Sequence, residues 1–140
     1  MSCKPFQCVS ARRQLSMRFI PERFFEGVEY LGEFESVRQI YYVYRKKDDY
    51  LLVTLSRNRL DSFNVNFIPK KCVEYITANF DRKVVDRKGI EKKKTTIFGN
   101  SRERAFKILN TLYVLCVLGW AEKANESEHG TMKFRVGKKV

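Results

Sequence analysis

A chain of 140 residues that is 44% hydrophobic and 14% aromatic has enough apolar surface to bury a core without disulfides or a structural metal, which excludes a wholly disordered chain. Its 28 Lys and Arg stand against 16 Asp and Glu, a net charge of +12; self-repulsion on that scale destabilises a compact fold and is relieved by a polyanionic partner. No apolar run approaches ~18 residues, so no membrane span is expected.

Residues 1–20 carry four basic groups (Lys4, Arg12, Arg13, Arg18) and no acid. They read as a basic arm or first element, and in composition loosely resemble an organelle transit peptide, though no cleavage signal is visible. Residues 21–140 read as a single α+β domain. Pro21 and the spacing of Phe24, Val28 and Leu31 predict a helix ending at Gly32. Gln39–Tyr44 and Tyr50–Leu55 are rich in β-branched and aromatic residues and predict a hairpin about Lys46–Asp49. Phe63, Val65 and Phe67 alternate with Asn64 and Asn66, as on a half-buried strand. The expectation is an antiparallel three-stranded meander packed with helices.

Pro69 opens a predicted helix with Cys72, Val73, Ile76 and Phe80 on one stripe and Lys70, Lys71, Glu74 and Thr77 facing away. The charged stretch that follows repeats a five-residue pattern at Asp81, Asp86 and Glu91 and reads as a solvated, flexible segment. Asn100 and Glu103 have capping-box spacing ahead of a helix over 101–118, and Gly119 is its left-handed stop. On the wheel Ala105, Ile108, Leu109, Leu112, Leu115 and Cys116 form the buried arc, extended by Phe106 and Tyr113. The opposite arc holds Arg104, Lys107, Asn110 and Thr111, with Val114 and Leu118. A hairpin over 120–136 completes the chain, with Met132, Phe134 and Val136 inward and Lys133 and Arg135 outward.

The order over 100–136 (capped helix, glycine stop, hairpin with outward basic residues) resembles the C-terminal half of winged-helix DNA-binding domains. The resemblance implies two or three helices upstream, a long helix that enters the major groove, and a hairpin wing that touches phosphate or the minor groove. A helix that reads bases needs an exposed polar face, and only the N-terminal half of this one has it. The apolar C-terminal half fits core packing or a dimer seam through Val114 and Leu118.

The charge is uneven along the chain. Residues 21–80 hold nine basic and nine acidic groups, whereas residues 81–140 hold fifteen against seven. The leading expectation is a non-enzymatic nucleic-acid-binding protein, a regulator or accessory factor, with duplex DNA ahead of RNA. Phosphate contacts would come from Lys88, Lys92, Lys93, Lys94, Arg102, Arg104, Lys107, Lys123, Lys133 and Arg135, giving affinity with little sequence specificity. Three alternatives stand beside it. One is a protein–protein adaptor or dimerisation module with incidental basicity. Another is a single-strand or RNA-binding module stacking bases on Tyr41, Tyr42, Tyr44, Tyr50, Phe63 and Phe67. The last is a metal-dependent nuclease using Glu91-x-Lys93 with Asp81 or Asp86.

No cofactor or metal site is expected. Cys3, Cys8, Cys72 and Cys116 lack metal-type pairing, and the one histidine, His129, lies in an acidic turn. Free cysteines fit a reducing intracellular compartment, either cytoplasm or the nucleoid or nucleus.

Overall fold

The computed structural model describes residues 26–36, 39–55, 63–124 and 132–137. The predicted arm 1–20, the turn 56–61, the wing tip with His129, and Cys3 and Cys8 lie outside the described residues. The chain divides into two compact units, 1–67 and 68–140, and the division falls inside the stretch that reads as one domain in the sequence. Among the described residues no helix is long and apolar enough to cross a membrane.

The first unit carries a four-stranded antiparallel sheet in the order β1-β2-β3-β4. The strands are β1 (Val28–Glu35), β2 (Ile40–Lys46), β3 (Asp49–Leu55) and β4 (Phe63–Ile68). The predicted hairpin is present: Lys46 still pairs with Asp49, so the loop shrinks to Lys47 and Asp48, with Lys47 left-handed at φ 58°. Tyr42, Tyr44, Leu51 and Val53 form a buried cluster on one face, and Val28, Tyr30, Ile40 and Phe63 pack on it. Val43 and Leu52 pair across the two strands on the other face and are also fully buried. Sheets buried on both faces show continuous apolar runs rather than alternation, which is how β2 and β3 read.

Two expectations fail in this unit. Where a helix is predicted over 21–32, residues 21–25 lie outside the described residues and 28–32 are strand, so the meander has four strands rather than three. The pairing of β1 with β2 shifts register between Tyr30 and Gly32, a β-bulge that moves the strand's inward side to the other face of the sheet. Tyr30 therefore meets Tyr44 at 5.5 Å between ring centroids, while Phe34, opposite Tyr41, is buried on the second face. The bulge breaks the two-residue period and leaves a spacing that mimics a helix. The second failure concerns β4, where Val65 and Phe67 are exposed (37% and 49%) and Ile68 is buried. The inward side changes along that strand: Phe63 packs on the cluster, but by the strand's end Ile68 is the buried residue.

The second unit runs α1 (Lys70–Asn79), β5 (Val84–Asp86), α2 (Arg87–Glu91), α3 (Arg104–Leu118), β6 (Ala121–Lys123) and β7 (Lys133–Val136). Its antiparallel sheet has the order β5-β7-β6, so the predicted hairpin gains a third strand from the stretch that reads as flexible. The α1 stripe is as expected, with Cys72, Val73, Ile76 and Phe80 all buried. Tyr75 carries the packing onward to Phe98, 5.6 Å away edge-on.

The helix α3 packs against α1, α2 and β6. Its start is held by Asn100, whose Oδ1 accepts from the Arg102 and Glu103 amides at 3.0 and 3.2 Å. The helix proper begins at Arg104 rather than 101, because 101–103 form a turn. Gly119, at φ 81°, ends it as predicted. Its N–H donates to the Cys116 carbonyl (3.1 Å) and that of Trp120 to Leu115 (2.8 Å), the paired bonds of a Schellman motif.

Candidate nucleic-acid interface

The charged stretch is ordered, and ordering fixes where its cations stand. The three copies of the five-residue pattern take three conformations: Asp81 lies in a turn, Asp86 precedes α2, and Glu91 ends it. Asp86 Oδ1 accepts from the Gly89 amide at 2.7 Å, the N-cap bond that starts a helix. Ile90 is fully buried and anchors α2 from beneath. Glu91 is bonded to Arg87 at 2.7 Å. Asp86 and Glu91 of the nuclease reading thus have structural partners, Asp81 lies in a turn, and Glu91 sits at the end of a five-residue helix rather than on a buried strand. Among the described residues no group of three or more His, Cys, Asp or Glu is placed to hold a metal ion.

After Glu91 the main chain coils tightly. The amides of Lys92, Lys93 and Lys94 donate to the carbonyls of Lys88, Ile90 and Glu91, each at 3.1 Å, and Lys94 is left-handed at φ 53°. This carries Lys92, Lys93 and Lys94 into solvent beside Lys88, and all four are exposed. Lys88 and Lys92 are four apart in helical geometry, where like charges repel. Arg102, also exposed, stands at the entry to α3. Among the described residues, none of these five cations is in an ion pair.

The other predicted contacts scatter. Arg104 and Lys107 are half-buried on the first turns of α3, and Arg104 Nε is enclosed without a hydrogen-bond partner. Lys133 and Arg135 are exposed on the outward face of the second sheet, as expected. That face is balanced, however: Asp86 pairs across from Lys133, and Glu122 lies 3.6 Å from Arg135. Lys123 pairs with Phe134, which points inward, so Lys123 stands on the face opposite Lys133 and Arg135. There its charge reaches Cys116, whose thiol burial nevertheless pushes up to about 12. An open recess of about 530 Å³ borders β5 and includes Phe80, Lys83, Val84 and Lys133; its pair of lysines over apolar residues was not legible as a site in the sequence.

Four further readings are corrected in whole or in part. Val114 is fully buried and Leu118 half-buried, so they do not form an open seam for a second copy. Asn110 and Thr111, placed outward on the wheel, are 1% and 0% exposed; contacts from three elements leave the middle of α3 no free face. Thr111 satisfies its hydroxyl on the Lys107 carbonyl at 2.7 Å. Phe106, placed inward, is 48% exposed. The aromatic platform loses Tyr42, Tyr44 and Tyr50, which are core side chains with no open ring face, while Tyr41 and Phe63 are half-buried and Phe67 is 49% exposed. Compared with models of known protein families, with curated proteins and with solved structures, the chain matches none.

Proposed function

We propose that residues 68–140 form a non-enzymatic duplex-DNA-binding unit, serving a regulator or accessory factor, and that the turn after α2 and the start of α3 make its phosphate contacts. One observation carries this reading: Lys88, Lys92, Lys93, Lys94 and Arg102 lie within one stretch, exposed and without ion pairs among the described residues. A fold gains nothing from gathering like charges without counter-charge, whereas a polyphosphate backbone returns their repulsion as counterion release. The unit's seventeen Lys and Arg against eight Asp and Glu, a net of +9, give the same direction over a longer range.

The accompanying fold proposal is a winged-helix domain. It is supported by element order, with α1 and α2 ahead of the long helix α3, the β6–β7 hairpin behind it, and β5 joining that hairpin. The enclosure of Asn110, Thr111 and Val114 confines any groove contact to the first two turns of α3. Such an interface holds phosphates first and reads bases second.

The test is binding of the full chain to random-sequence duplex DNA across a salt series, with single-stranded DNA and RNA as competitors. Tight binding at low salt, a steep fall with rising salt and preference for duplex are expected, as is intact DNA after incubation with Mg²⁺ or Mn²⁺. A flat salt dependence, or no binding at low salt, overturns the proposal.

A further inference from the structure

The entry to α3 has a feature that phosphate binding does not need. The bulky apolar side chains Ile108, Leu112, Tyr113, Val114 and Leu115 are buried, yet Phe106 is 48% exposed. A phenyl ring left in water forgoes a favourable transfer, and one exposed ring alone would need no explanation. Its surroundings give it one. Arg102, exposed in the turn that leads into the helix, is four residues earlier, and the half-buried Lys107 is next to it in sequence.

The nearest acid, Glu103, is exposed but turned back toward Gly99. The Glu103 carboxylate lies against the Cα of Gly99, so close that a Cβ there would collide with Oε1. Gly99 is left-handed at φ 89° and donates its N–H to the Thr96 carbonyl at 3.1 Å. A glycine turn thus receives the acidic side chain, and Arg102, Phe106 and the half-buried Lys107 follow along the helix entry.

We infer that Phe106 is a base-contacting residue that recognises thymine by its C5 methyl group in the major groove. The inference rests on the reading of 68–140 as a duplex-binding unit. The flanking cations bring the helix entry to the phosphates, and the major groove is the one wide enough to admit a helix. Base edges there offer hydrogen-bond donors and acceptors, and a single apolar group, the thymine methyl. A phenyl ring makes no hydrogen bond and gains only from that group. Arg102 and Lys107 supply charge without sequence preference; Phe106 supplies the preference.

The experiment replaces every thymine with uracil in an A·T-rich duplex, which removes the methyl and nothing else from the groove. Binding to the two duplexes is measured at one salt concentration for wild type, Phe106→Ala and Phe106→Leu. Wild type is expected to favour the thymine duplex by roughly fourfold for each methyl covered. Phe106→Ala should bind both duplexes equally, with an unchanged salt slope, while Phe106→Leu should keep part of the preference. If wild type binds both equally, or Phe106→Ala keeps the full preference, the inference is overturned and the duplex-binding reading stands. Absence of wild-type binding to either duplex removes both.

Discussion

The two units differ in how they carry charge. In the described part of the first, residues 26–36, 39–55 and 63–67, three basic groups face six acidic ones, and Arg45 lies against Glu29 across neighbouring strands. In the described part of the second, fifteen basic groups face six acidic ones, and eight of the cations (Lys71, Arg82, Lys83 and the five of the proposed interface) are exposed and in no ion pair among the described residues. The first unit spends its sequence on a sheet buried on both faces. The second builds three helices and a three-stranded sheet, and sets Lys92, Lys93, Lys94 and Arg102 on the segment that connects α2 to α3. Of the net charge of +12, residues 1–67 carry +3 (eleven Lys and Arg against eight Asp and Glu) and residues 68–140 carry +9 (seventeen against eight), so most of the basic excess lies in the second unit.

Substitutions in the two cores should produce the largest effects. Phe134→Ala in β7 removes a fully buried ring and is expected to cost about 3–5 kcal/mol, and Leu52→Ala in β3 about 2–5 kcal/mol, read by urea denaturation. Equal stability of either variant and wild type would mean that the burial assigned to that unit is wrong. Asn100→Ala should cost about 1 kcal/mol, because it leaves the Arg102 and Glu103 amides without their acceptor. The same variant should weaken DNA binding, since it loosens the turn that presents Arg102.

How far the sequence reveals this contrast depends on how local the signal is. The β2–β3 hairpin, the α1 stripe, the Asn100 cap and the Gly119 stop are each set by neighbours within a few residues, and each is readable. The β1 strand is not, because its bulge changes face in mid-strand, and only pairing with β2 reveals that. The middle of α3 misleads for the opposite reason. Its wheel has a polar arc at Asn110 and Thr111, but contacts from α1, α2 and β6 close over it. At the site, composition identifies the lysines, while their geometry depends on Ile90 burying itself and turning 81–94 from a tail-like run into strand, helix and turn. Phe106 and the balanced face around Arg135 are legible only once partners are placed.

Smaller effects sharpen the comparison. Folding raises the Cys116 thiol from 9.0 to about 12, chiefly through desolvation by burial. Below about pH 9 the thiol is protonated in both states, so its contribution to stability is fully present there. As pH climbs from 9 towards 12 the unfolded chain loses this proton first, and stability falls. Cys116→Ala should flatten that part of the alkaline decline, measured by denaturant titration at several pH values. Peptide-resolved alkylation at pH 8 should find Cys116 slow in the native protein and fast in denaturant. Smallest of all, Glu122→Gln should change stability by less than about 0.5 kcal/mol, because its pair with Arg135 is solvent-exposed.

The central claim is that DNA phosphates are met by the second unit, at the turn after α2. It is tested most directly by the slope of log affinity against log salt for wild type, Lys92→Ala/Lys93→Ala/Lys94→Ala, and Arg45→Ala/Lys46→Ala/Lys47→Ala. Each lost phosphate contact flattens the slope by about 0.9, so the first triple variant should be shallower than wild type by roughly 2.7. The second, with the same charge removed from the first unit, should run parallel to wild type. Equal flattening by both variants, or none by the first, would contradict the account.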